Sequence, residues 1–148
     1  AEEPVTVEEF RHAAAARPVL ASAQSISLPN GPFEALATLV DALSRRAAAH
    51  PGLVCAAAAH PSGDGALLLL TLWESIADLR SSVLAGGADV RAWRARTGLT
   101  PVAERALWWT LDRAVPSPEE GRLRLARLRA HGPGAGAFTL RSPVPPPR

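Results

Sequence analysis

Ala66-Leu67-Leu68-Leu69-Leu70-Thr71-Leu72-Trp73-Glu74-Ser75 is the stretch that decides the fold. An antiparallel strand with one wet face alternates apolar and polar side chains, because successive Cβ atoms point to opposite faces. This run does not alternate. A strand that is apolar on both faces needs cover on both sides. A chain this short is expected to place helices on one face only, so the second cover is expected to be another copy of the protein.

Working outward, Pro61-Ser62-Gly63-Asp64-Gly65 reads as a hairpin connection back to a strand over residues 53 to 59. His50-Pro51-Gly52 stops a preceding helix whose Phe33, Leu36, Leu39, Val40 and Leu43 recur at three and four, predicting helix from about 33 to 49. Pro29-Asn30-Gly31-Pro32 is a turn after a first strand over 19 to 28. Before that, Thr6 and Glu9 have capping-box spacing, and a short helix is expected from about 7 to 16. Downstream, Ser75 can cap a helix carrying Ile76, Leu79 and Val83. Gly86-Gly87 is expected to interrupt it before a second piece around 90 to 96. Residues 103 to 111 read as a fourth strand. Ser117-Pro118-Glu119-Glu120 opens a helix running through Leu123, Leu125 and Leu128 to His131. Residues 137 to 140 form a last short strand, and 142 to 148 an extended Pro-rich tail.

The central order β-α-β-β-α-β is the split βαβ, or ferredoxin-like, unit of the α+β class: an antiparallel sheet with two helices on one face. Three regions follow: an N-terminal helical extension over 1–18, the ferredoxin-like domain over 19–141, and the tail over 142–148.

The 148 residues are 47% hydrophobic and 20% charged, a globular rather than disordered composition. All sixteen basic residues are arginine, and the net charge is only +2. The cluster Arg122, Arg124, Arg127 and Arg129 follows Glu119 and Glu120 and reads as a solvated helix face rather than a nucleic-acid patch. No apolar run reaches the roughly 18 residues of a membrane span. The acidic Glu2 and Glu3 are unlike a secretory signal, and a cytoplasmic protein is expected. The single Cys55 lies in an apolar run and reads as a small buried hydrophobe.

His50-Pro51-Gly52-Leu53-Val54 and Leu70-Thr71-Leu72-Trp73-Glu74-Ser75 resemble the dimeric α+β barrel superfamily of antibiotic biosynthesis monooxygenases. Leu107-Trp108-Trp109, Pro116 to Glu120, His131-Gly132-Pro133 and Ala137-Phe138-Thr139-Leu140 are similar to a bacterial family of unknown function within it. The likeness covers about residues 19 to 147. It implies a ferredoxin-like protomer and a homodimer, and a place among cofactor-independent oxygenases, haem-degrading enzymes, cyclases and isomerases. Three departures stand out: Leu69 where the superfamily usually has Asn, Val83 to Ala88 where it has an aromatic and a His, and no Asn near Ile26.

In that architecture the pocket lies between the helices and the sheet. Leu69, Thr71 and Trp73 are assigned to the helix side, and Leu68, Leu70 and Leu72 to the dimer side. Trp108 and Trp109 must face opposite ways; one enters the pocket or core and the other the interface, and Trp108 is taken as the pocket residue. Trp93 with Arg91 and Arg94 is the best polar-aromatic cluster, an arginine there clamping a carboxylate, enolate or phenolate. The rival reading is a Trp covering the core beside solvated arginines. Gln24 and Ser25 are candidate polar contacts. His60 is the candidate general base. His50 and His131 are placed at helix C-termini, against exposed carbonyls. The histidines lack metal-ligand spacing, so no metal and no cofactor is expected.

The expected function is a small dimeric enzyme of natural-product biosynthesis acting on a hydrophobic, aromatic or polyketide-like intermediate. Cyclisation, isomerisation and cofactor-independent monooxygenation all fit. The alternative is a non-catalytic small-molecule-binding or accessory homodimer.

Overall fold

The computed structural model describes residues 17–148, so the helix expected over 7 to 16 lies outside the described residues. The elements in chain order are β1 (Val19–Ser27), α1 (Phe33–Ala48), β2 (Leu53–Ala56), β3 (His60–Pro61), β4 (Leu67–Trp73), α2 (Ile76–Thr97), β5 (Val102–Thr110) and α3 (Pro118–His131). All pairings are antiparallel, in the order β2-β4-β1-β5, with β3 continuing β2 along β4. With β2 and β3 counted as one interrupted edge strand, this is the ferredoxin-like order.

The helix ends obey local chemistry. Ser75 Oγ accepts from the Asp78 N–H at 3.1 Å and donates to Asp78 Oδ2 at 2.7 Å, capping α2. Ser117 Oγ accepts from the Glu120 N–H at 3.1 Å ahead of Pro118 at the start of α3. Gly98 closes α2 in the left-handed region, φ 69°, where a Cβ is penalised.

Two local expectations are corrected. The strand expected over 53 to 59 is broken: its register with β4 shifts between Leu53 and Cys55, and only His60 and Pro61 resume pairing. A bulge and a proline are common devices for blunting an exposed sheet edge. Gly86-Gly87 does not interrupt α2, which is continuous over 22 residues. Gly86 is buried, and a Cβ there would come within 3.3 Å of Leu43 Cδ2 on α1. The close approach of α1 and α2 offsets the roughly 1 kcal/mol propensity penalty of a helical glycine. Trp93 Nε1 donates to the Ala35 carbonyl at 2.9 Å, and Arg46 makes a bidentate pair with Asp89 at 2.9 and 3.1 Å, both joining α1 to α2.

The larger correction concerns the second face of the sheet. Leu68, Leu70 and Leu72 are 2%, 1% and 0% exposed within a single chain. α3 lies across them. Leu125 and Leu128 pack with Val19, Ala21, Ala23, Leu68, Leu70, Leu72, Ala106 and Trp108 in one core. Gly121 permits the approach: a Cβ there would sit 2.7 Å from Leu70 Cδ2 and 3.3 Å from Ala23 Cβ. The protein is thus helix–sheet–helix in three layers. The coverage argument for a homodimer is overturned, because the chain covers its own second face.

On the opposite face, α1 and α2 pack on Leu20, Ile26, Leu67, Leu69, Trp73 and Leu107. Residues 137 to 140 do not form a full strand. Phe138 makes an isolated bridge to Leu107, with reciprocal N–H to carbonyl bonds of 2.9 and 2.8 Å, and extends the sheet beyond β5. The tail is held as well, since Trp109 Nε1 donates to the Val144 carbonyl at 2.8 Å. Among the described residues, no helix is long and apolar enough to cross a membrane.

The role of α3 is testable by denaturation and sedimentation. Leu125→Ala should cost about 2–4 kcal/mol in urea unfolding, as for other buried leucines. Gly121→Trp should lift α3, bare Leu68 and Leu70, and make the protein self-associate. If Gly121→Trp were as stable and as dispersed as the parent, α3 would not be the cover.

Candidate functional site

Between α1, α2 and the sheet lies a cavity of about 400 Å³. β1, β4 and β5 supply its floor. Register places Ser22 opposite Thr71 and Leu107, and Gln24 opposite Leu69 and Arg105, so these side chains share the helix-side face. α1 contributes Leu43 and Ala47, and α2 contributes Leu79, Ser82, Val83 and Val90. Gly86 and Gly87 line the cavity as well, where the absence of side chains widens it.

The polar content is small and lies partly on the floor. Arg105 Nη1 donates to Ser22 Oγ at 2.6 Å, and Ser22 is fully buried. Among the described residues Arg105 has no carboxylate partner. Burial disfavours its charged form and pushes its pKa down to about 10, which still leaves it protonated at neutral pH. A guanidinium has five N–H donors in a planar fork, and one hydroxyl acceptor leaves most of them for a ligand. Trp73 Nε1 donates to Thr71 Oγ1 at 2.8 Å, an arrangement that leaves the Thr71 hydroxyl proton able to point elsewhere. Trp73 is 1% exposed yet forms part of the cavity wall. Among the described residues, the lining contains no Asp, Glu, His or Cys.

Of the residues expected at the site, Gln24, Leu69, Thr71, Trp73 and Arg91 line this cavity. Five others lie elsewhere. Ser25 pairs with Leu68 and therefore points to the α3 face. His60 also pairs with Leu68, on the exposed sheet edge, which removes it from any role as a base in the cavity. Trp108 is buried beneath α3 with Arg124 stacked over its ring at 5.1 Å; its neighbour Trp109 faces the helix side against Phe138. Trp93 is 2% exposed and acts as a core staple through its bond to Ala35, while Arg94 is exposed outside the cavity. The arginine beneath the cavity is therefore Arg105, a residue the sequence reading did not single out.

Two further placements matter. His50 does not serve the α1 carbonyls as expected. Its Nδ1 accepts from the Gly52 N–H at 2.9 Å, and its ring meets Trp73 edge-on at 5.7 Å, supporting the cavity wall from behind. Cys55 sits among the α3-side apolar residues and its Sγ contacts the Arg113 carbonyl at 3.6 Å. Burial is the main reason its thiol pKa is raised, which suits a small apolar filler.

No protein of curated function matches the chain. Among solved structures, the cofactor-independent oxygenase SnoaB from Streptomyces nogalater is similar at 15% identity and a TM-score of 0.49, covering 68% of this chain and 99% of that one. A point mutant of the same oxygenase gives 14% identity and the same TM-score, over 61% and 90%. A Caulobacter crescentus protein described provisionally as an antibiotic biosynthesis monooxygenase gives 18% and 0.43, over 65% and 94%. These likenesses are distant, and the fold assignment rests on the strand order itself. At the level of sequence family the match is direct: residues 27–148 fit the family described as a domain of unknown function, DUF3291, and the chain belongs to it.

Proposed function

We propose that this protein is a small enzyme of natural-product metabolism acting on a hydrophobic, aromatic or polyketide-like molecule that carries an acidic oxygen. The supporting observation is the Arg105 guanidinium, held by Ser22 in a largely apolar cavity and lacking a carboxylate partner among the described residues. A buried cation with no counter-ion is costly, and an incoming anion relieves that cost. The apolar body of the substrate lies against Leu69, Val90 and the face of Trp73. Its enolate, phenolate or carboxylate oxygen accepts from Arg105, with Gln24 and Thr71 as neighbouring donors.

The reaction classes that fit are cyclisation, isomerisation and cofactor-independent oxidation. Each can proceed through an oxyanion that Arg105 stabilises within a preorganised, water-poor site. Because the described lining residues include no carboxylate, imidazole or thiol, the substrate supplies its own acidity, assisted by the nearby positive charge. A second reading, a non-catalytic binder of the same class of molecule, is favoured by that same lack of a base. Enolisable aromatic ketones incubated under air and under argon separate the two. Turnover confined to air supports oxidation, and turnover in both gases supports cyclisation or isomerisation. Saturable quenching of tryptophan fluorescence without turnover establishes the binder.

Arg105 ties affinity to stability. Its pKa is lower in the folded chain than in the unfolded one, so folding disfavours the protonated form. That penalty is fully present below pH ~10 and fades as pH rises from there toward the ordinary arginine range. At neutral pH, Arg105→Met should therefore stabilise the ligand-free protein by an amount on the order of 1–3 kcal/mol. It should also weaken phenolate or carboxylate binding by roughly tenfold to a hundredfold. Thermal unfolding and calorimetric titration measure the two effects. A variant that loses stability while keeping its affinity would contradict the assignment.

Gly87→Leu tests the cavity itself. A Cβ at Gly87 meets only Arg91 Nη1, at 3.4 Å, so the larger side chain is accommodated. Replacing a helical glycine adds up to about 1 kcal/mol of helix propensity. The expected result is unchanged or improved stability with ligand affinity reduced at least about tenfold, the change that a loss of ~1.4 kcal/mol produces.

A further inference from the structure

We infer that the cavity is built for a dianion, an apolar body with an acidic group at each end, the inner one on Arg105 and the outer one on Arg91. The inference rests on the proposed reading of Arg105 and goes beyond it by naming a second recognition point and the class of molecule that satisfies both.

Among the described residues three arginines line the cavity, Arg46, Arg91 and Arg105, and no acidic residue does. They are not equivalent. Arg46 is neutralised by the bidentate pair with Asp89. Elsewhere on the surface Arg45, Arg113, Arg124 and Arg129 are paired with Asp41, Glu74, Glu120 and Glu104. Among the described residues Arg91 and Arg105 have no such partner, as is also true of several arginines away from the cavity; what sets these two apart is that both line it. Counting the described residues, the cavity therefore carries two positive charges without a carboxylate beside them.

Their positions differ in a way that fixes polarity. Arg105 rises from β5 on the floor and reaches the buried Ser22. Arg91 stands on α2, is solvent-exposed, and turns back over Gly87, where a Cβ would meet its Nη1 at 3.4 Å. One cation is thus half-buried on the floor beside Ser22, and the other is exposed on the helix above it. A ligand with a single acidic group satisfies only the inner one.

The two contacts should also behave differently. The half-buried guanidinium is less screened than the exposed one, so the inner contact supplies more of the affinity and resists salt better. The rim contact is worth roughly a twofold to fivefold change in affinity at low ionic strength and fades as salt is added.

Four probes test this on the intact protein by calorimetry. They are a naphthalene monocarboxylate, its neutral carboxamide, a naphthalene dicarboxylate with its charges at opposite ends, and a longer biphenyl dicarboxylate of the same arrangement. The monocarboxylate should bind more tightly than the carboxamide, and at least one dicarboxylate should bind about twofold to fivefold more tightly still at low salt. Arg91→Gln should erase the advantage of the dicarboxylate over the monocarboxylate. Arg94→Gln, on the same helix but outside the cavity, should alter neither. If neither dicarboxylate gains over the monocarboxylate, or the gain survives Arg91→Gln, the two-point inference is wrong while the Arg105 reading stands. If the monocarboxylate binds no better than the carboxamide, both are overturned.

Discussion

A sheet whose central strands are apolar on both faces has to be sealed twice, and everything else in this protein follows from how the second seal is made. β4 presents Leu67 and Leu69 to one side and Leu68, Leu70 and Leu72 to the other. Burying a leucine side chain is worth about 1.5–3 kcal/mol, so leaving three of them wet would consume much of a typical domain's stability. α3 provides the seal in only 14 residues. It can do so because its neighbours on that face are small: Ala21, Ala23 and Ala106 form a shallow bed, and Gly121 lets the helix backbone settle into it. With that face closed by the chain itself, the sheet is covered on both sides within one protomer, and the cavity lies on the opposite side from α3.

The cavity is the place where packing is left unfinished. Gly87 leaves space that an ordinary side chain would fill, and the sheet beneath sets one guanidinium into a largely apolar wall. Both features lower stability. A void forgoes dispersion contacts, and an enclosed charge loses hydration. Such departures from the best-packed solution are typical of functional positions, where the missing stability is recovered on binding. Here the rest of the structure can carry the deficit. The α3-side core is tightly built, and Trp73 is fixed by Thr71 on one side and His50 on the other.

Much of the fold is legible in the sequence because short-range rules govern it. The serines at 75 and 117 cap helices as their positions imply, and period-two counting correctly places Leu69, Thr71 and Trp73 on the helix side. The packing of α3 is harder to see. Its apolar stripe is narrow, just Gly121, Leu125 and Leu128, while Leu123 is exposed and arginines crowd the remainder. Such a pattern reads as a surface helix until one knows that the receiving face is lined with alanine. Gly86-Gly87 misleads for a related reason: local propensity argues for a break, and the contact with Leu43 that opposes it comes from a distant part of the chain. Arg105 is hidden by its neighbours. It follows Glu104 near the exposed start of β5, yet it is in phase with Leu107 and Trp109, which face the helices.

Phase also explains how a cavity can lack the asparagine expected at position 69 and still have a polar pole. Leu69 lies directly opposite Gln24, and Gln24 lies directly opposite Arg105 across the next strand. The three form one row across β4, β1 and β5 on a single face of the sheet. An apolar side chain at the first position removes a neutral amide from β4, and the row ends instead in a cation on β5. The exchange changes the chemistry offered to a ligand. An amide can donate to and accept from neutral groups with little preference, whereas a guanidinium in an apolar wall discriminates strongly for an oxyanion.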